Sequence, residues 1–198
     1  MQQNEIDIEA LKKDKEFLAN MEQLENEMRI QDSVAMGYKL LDVKLVLESD
    51  DEVINEIFTF IVNTAFDKLS DKLTAFELFD MTNEEDASVA RAIYEYGIQR
   101  WSEHDMKSSK EIFLVLHHMI NQKMLQDAMM IHASIIHSGN GFEEFIASFV
   151  DGEHVLNESS EFPFFITNFK NTHEELLEVF ANDIAQLEIE IKKFAKKD

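Results

Sequence analysis

Seven histidines stand among 40 acidic side chains in this 198-residue chain, and metal binding is the first chemistry that such a set suggests. His117 and His118 are adjacent, so on a helix they project about 100° apart and cannot chelate one ion locally. His132 and His137 are spaced awkwardly for one helix face. Neither His-Glu-x-x-His nor Glu-x-x-His occurs, so the signatures of zinc proteases and di-iron bundles are missing. Asp151-Gly152-Glu153-His154 lies in a polar stretch, where a solvated loop is the ordinary outcome and an ion site the exception. A helical metal or small-ligand protein using His117, His132, His137 and nearby acids stays open as an alternative. Other reaction chemistry finds no footing. There is no glycine-rich phosphate loop, no Gly-x-Ser-x-Gly, and no cysteine to supply a thiol nucleophile. The carboxylates read as surface acids, and the chain is expected to be a non-enzyme that needs no cofactor.

What the spacing does offer is a binding surface. Tyr94, Ile98 and Trp101 recur at i, i+4 and i+7, which on a helix is one continuous stripe. The stripe could meet a partner, or it could pack against a neighbouring helix. Its helix turns near Ser102-Glu103-His104-Asp105. A second helix follows, with Ser108 to Glu111 reading as a capping box and Ile112, Phe113, Leu116 and Met119 as its buried face. The unit is a helical hairpin.

The elements around this hairpin are helical as well. Apolar residues make up 45% of the chain, with 16 Phe and 10 Met, enough to build a core. With 5 Gly and 1 Pro, turn formers are too scarce for a many-stranded β-fold, so an all-α fold is predicted. Residues 5–30 form a charged helix with a thin seam of Leu11, Leu18, Met21, Leu24 and Met28, suited to a peripheral helix or a dimerisation arm. Residues 34–47 continue as helix, with a short strand possible at Val43-Lys44-Leu45. A long helix is expected over 51–69, then a short one capped by Ser70 that contains Leu73, Phe76 and Phe79. Capping boxes at Thr82–Glu85 and Thr172–Glu175 open later helices, and Ser138-Gly139-Asn140-Gly141 stops the one from Met124 to His137. Phe142–Val150 is a further short helix, 151–162 a polar loop, and the last helix reaches about residue 196. This gives an N-terminal arm over 1–47 and a helical domain over 48–198.

The hairpin resembles a tetratricopeptide repeat, a unit of ~34 residues with Trp-x2-Leu-Gly-x2-Tyr, then Ala-x3-Phe, then Pro. The corresponding positions are Ile93, Tyr96, Gly97, Arg100, Ser109, Phe113 and Asn121, so glycine and phenylalanine match while tryptophan and proline are missing. Gly97 would let the second helix approach near Ser109, with Phe113 filling the groove. A second copy places Ala133 where Gly97 stands and Phe149 where Phe113 stands. Within that superfamily, Ile93-Tyr94-x-Tyr96-Gly97, Trp101, Ser109 and Phe113 resemble the first repeat of class II type III secretion chaperones.

The resemblance implies a degenerate repeat array behind an N-terminal arm, and a cytoplasmic chaperone or adaptor holding a hydrophobic segment of a secreted partner. It implies a peptide site on the concave face, formed by the first helix of each pair: Tyr94, Ile98 and Trp101, then Met130, Ser134 and His137. That surface is expected to be open in the free protein. A regulatory bundle that binds or dimerises through the N-terminal helix is the alternative. Charge agrees with a protein partner: a net −22 repels nucleic acid and anionic lipid and attracts basic segments. The start MQQNEIDIEALKKDKEF lacks a signal-peptide pattern, and no apolar run nears the ~18–20 residues that span a bilayer. A soluble protein without stable membrane insertion is expected.

Overall fold

The computed structural model describes residues 8–152 and 161–194. Among them are ten helices and no strand: α1 (Ile8–Leu11), α2 (Lys15–Gln31), α3 (Val34–Val46), α4 (Asp51–Ala75), α5 (Glu84–Ser102), α6 (Met106–Met119), α7 (Lys123–His137), α8 (Phe142–Ser148), α9 (His173–Val179) and α10 (Ala181–Phe194). The protein is all-α, and its helices pack largely in chain order, each against the next, as in a helical-hairpin array. None of the described helices is long and apolar enough to cross a membrane.

The caps decide where helices begin, and several begin elsewhere than the pattern suggests. Asp14 takes the N–H groups of Glu16 and Phe17 at 2.9 and 3.1 Å, so the charged N-terminal segment is broken into α1 and α2. α5 is capped by Asn83, not Thr82, and α6 by Asp105, whose carboxylate accepts from the Ser108 N–H. Thr82 instead donates its hydroxyl to Asp80 at 2.8 Å. The box at Thr172 and Glu175 forms as predicted. The stop after α7 also forms: Gly139 sits at φ 93°, and Asn140 N–H closes on Ile135 O.

α3 is helical throughout, Val43-Lys44-Leu45 included. Its Val34, Tyr38 and Leu40 are buried in the same core as α4–α7. Its N-terminus is locked by Glu85 of α5, which accepts from Ser33 Oγ and the N–H groups of Val34 and Ala35. α4 runs unbroken past Ser70 and ends at Phe76, so Leu73 and Phe76 stay outside while only Phe79 enters the core. There Phe79 pairs its backbone with Met119 O and the Asn121 N–H.

The second hairpin is shorter than the repeat pattern requires. α8 has 7 residues against 14 in α6 and lies against α5. Its buried residue is Phe145; Phe149 falls beyond the helix and meets Phe180 at 5.9 Å instead of filling a groove. The last helix is stepped at Phe180, which turns inward between α9 and α10; both α9 and α10 pack on α7.

Candidate functional site

The close approach at Gly97 is the anchor of the site. A Cβ there would lie 2.9 Å from Ile112 Cγ2 and 3.1 Å from the Phe113 ring, so any side chain would push α6 away. Ser109 Oγ donates to Gly97 O at 2.9 Å, and Phe113, fully buried, fills the groove beside them. The close approach expected at Gly97, Ser109 and Phe113 is thus present between α5 and α6.

On the adjacent face Tyr94 and Trp101 meet His132 of α7. Trp101 is stacked on Phe145 at 4.6 Å between centroids, and its indole N–H donates to Asn140 O at 3.2 Å. His132 lies between the rings of Tyr94, Trp101, Phe113, Phe145 and Phe169. Its proton placement follows from its partners. Nδ1 can only donate to Ala128 O, at 2.6 Å, which leaves Nε2 to accept from the Tyr94 hydroxyl at 3.3 Å. The Tyr94 oxygen in turn accepts the Ile166 N–H at 3.0 Å. Burial in this apolar cage pushes the His132 pKa down to about 4 and raises that of Tyr94, so both groups are neutral.

The face expected to be open is therefore buried. Tyr94 and Trp101 are inside, and so are Met130 and Ser134; the Ser134 hydroxyl is taken by Met130 O within α7. Ile98 is half-buried, and His137 reaches toward Gln186 of α10 at 3.2 Å. Tyr94 and Trp101 come together through Phe113 and His132, whereas His137 stands apart at the end of α7.

What covers Tyr94 is the chain's own segment from Glu161 to Lys170, which is not helical. Phe165 packs on the Tyr94 ring at 4.9 Å, and Phe169 reaches His132 and Phe145. The segment is pinned at both ends. Phe164 lies on the Arg91 guanidinium, whose other face covers Tyr38, with 3.6 and 3.7 Å from Cζ to the two centroids. Arg91 is held by Glu95, which also accepts from the Tyr38 hydroxyl. At the far end Phe169 pairs antiparallel with Val150, and the Lys170 N–H donates to Phe149 O. From sequence His132 reads only as a candidate metal ligand, and Pro163 with the aromatic run Phe164-Phe165-Ile166 is visible as a run but not as the cover of Tyr94.

The histidines of the metal alternative do not converge. His132 is caged, His117 Nδ1 is bonded to Gln126 O at 2.8 Å, and His137 faces Gln186. Among the described residues no three His, Asp or Glu side chains are grouped to hold an ion, and His154 lies outside those residues. Comparisons with family models, with curated proteins and with solved structures returned no match.

Proposed function

We propose that this chain is a non-enzymatic protein-binding protein, a chaperone or adaptor of the cytoplasm that holds an extended, aromatic segment of a partner across α5 and α7. Support for this reading is the segment from Glu161 to Lys170. It is an irregular stretch laid over the first helices of two successive hairpins, with Phe165 on Tyr94, Phe169 on His132, and a backbone N–H on the Tyr94 hydroxyl. These are the contacts a bound peptide would make: rings in pockets for specificity and a main-chain bond for registration. Tyr94, Trp101 and Ile98 then belong to the floor of the site, with the chain's own segment occupying it. A partner resembling a secreted translocator would offer the same kind of apolar segment, and basic flanks would suit the net charge of −22.

The test uses a fluorescein-labelled synthetic peptide of residues 161–170, EFPFFITNFK, and fluorescence anisotropy. In the intact protein the tethered segment competes at an effective concentration on the order of millimolar, so added peptide binds weakly. Phe165→Ala with Phe169→Ala loosens the tether, and the peptide should bind that variant roughly tenfold or more tightly than wild type. Circular dichroism identifies whether the variant is folded, and Tyr94→Phe, which removes the hydroxyl that accepts the Ile166 N–H and donates to His132 Nε2, is the milder second variant. Folded variants that leave the anisotropy at the wild-type level would sink the reading.

Binding or dimerisation through the N-terminal helix is a second reading, favoured by Ile30 of α2, which is 82% exposed. Ile30→Asp, which leaves the buried Met28 in place, should abolish partner binding under this reading and spare it under the first.

A further inference from the structure

The elbow between α4 and α5 turns on Phe76. Its backbone is left-handed, at φ 58° and ψ 36°. The Phe76 N–H closes on Leu73 O, and the Glu77 N–H closes on Lys72 O at 3.0 Å. This is the helix C-cap geometry that glycine or asparagine fills most easily, because a Cβ is crowded there. Phenylalanine at that place is unfavourable for the backbone, and it is unfavourable for solvation too, since the ring is 96% exposed. Leu73 and Leu78 flank it at 48% and 50% exposure. Three large apolar side chains at this turn thus make an exposed knuckle on an element that would be more comfortable without the ring.

The rim of the knuckle is acidic. Asp71 and Glu77 are exposed beside it. The cation of the stretch, Lys72, is turned away: its ammonium sits on Asp86 at 2.9 Å, on Leu78 O at 3.3 Å and over the Phe79 ring. Charge then selects the occupant. A second copy of this chain would bring the same negative surface, with a net −22 on each molecule, and an anionic membrane would repel it as well. A helix with an apolar stripe bordered by Lys and Arg satisfies both features, because a ring can seat as a knob in the hole between four residues of such a helix.

We propose that Phe76, with Leu73 and Leu78, is a docking knuckle for a basic amphipathic helix of a partner protein, separate from the face on α5 and α7. The inference does not rest on the peptide-groove reading, and either can fail alone.

The probe is a fluorescein-labelled amphipathic peptide of leucine and lysine, about 18 residues long so that it spans several turns. Its affinity is measured by anisotropy for wild type, Phe76→Gly and Asp71→Asn/Glu77→Gln. Glycine relieves the left-handed backbone, so Phe76→Gly should keep or raise the thermal midpoint while weakening the peptide roughly tenfold. The charge variant should weaken it about threefold at low salt and flatten the salt dependence. Equal affinities of wild type and Phe76→Gly would overturn the proposal, because the peptide would then be held by the acidic surface at large. No binding to wild type would overturn it too. Self-association of wild type that Phe76→Gly abolishes would overturn it in favour of a second copy, and binding to zwitterionic vesicles that the same variant abolishes would do so in favour of a lipid surface.

Discussion

Phe113 and Phe76 are the same side chain put to opposite uses. Phe113 lies fully buried in the hairpin of α5 and α6, against Tyr94, Trp101 and His132, with Gly97 cut back to admit its ring. Phe76 stands almost wholly in solvent at the end of α4. Around Phe113 the interior polar groups are paired with fixed partners: Ser109 with Gly97 O, Trp101 with Asn140 O, His132 with Ala128 O and Tyr94. Even Arg100, whose Nε is buried without a partner, keeps its charge on Glu103 and over the Tyr96 ring. The elbow offers Phe76 no such surroundings, only a left-handed backbone and acidic neighbours. An apolar residue is core where the backbone brings surface to it from a second and third element, and a contact point where the chain turns away.

Truncation is the sharpest way to break this comparison. Phe113→Ala should lower unfolding stability by about 3–5 kcal/mol in urea titrations, since the cage around His132 can collapse only in part. Phe76→Ala should change it by less than about 0.5 kcal/mol. Comparable losses from both would mean that the elbow is covered in solution.

A charge placed inside the hairpin sharpens it next. Native His132 has its pKa at about 4, below the ordinary value of 6.5, so the unfolded chain binds the proton more readily between those values. Its stabilising contribution is whole above the unfolded pKa and is lost as pH falls through the window toward 4. Between pH 7 and pH 5 the loss should be on the order of 2 kcal/mol. Acidification also relieves repulsion among the carboxylates, so the quantity to follow is the difference between wild type and His132→Leu. That difference should shift by about 2 kcal/mol in favour of the variant across this range; a constant gap would mean that His132 reaches water.

The smallest of the three effects tests the close approach. Gly97→Ala adds roughly 1 kcal/mol of helix propensity but drives a methyl into Ile112 Cγ2 and the Phe113 ring. Neither atom belongs to the loose end of a flexible chain, so a net loss of about 1–2 kcal/mol is expected in thermal or urea unfolding. A net gain would show that α6 can move off at little cost.

Fold class and much of the hairpin were legible in the residue pattern. Helical periodicity with few glycines and prolines left no other class, and the α5–α6 contact at Gly97, Ser109 and Phe113 was expected from their resemblance to the tetratricopeptide pattern. Gly139 and the Thr172–Glu175 pair marked a helix end and a helix start, because caps and turns act over a few residues. What covers each apolar face was set by packing between distant parts of the chain. Tyr94 is closed by Ile166, 72 positions away along the chain, and His132 became a buried neutral ring because five aromatic residues from α5, α6, α8 and the segment beyond converge on it. Leu73 and Phe76 were expected in a separate short helix, yet α4 runs on through Leu73 on its exposed side and turns left-handed at Phe76, which leaves both outside. Periodicity tells which side of a helix avoids water; which surface arrives to shield that side depends on contacts between residues far apart in the chain.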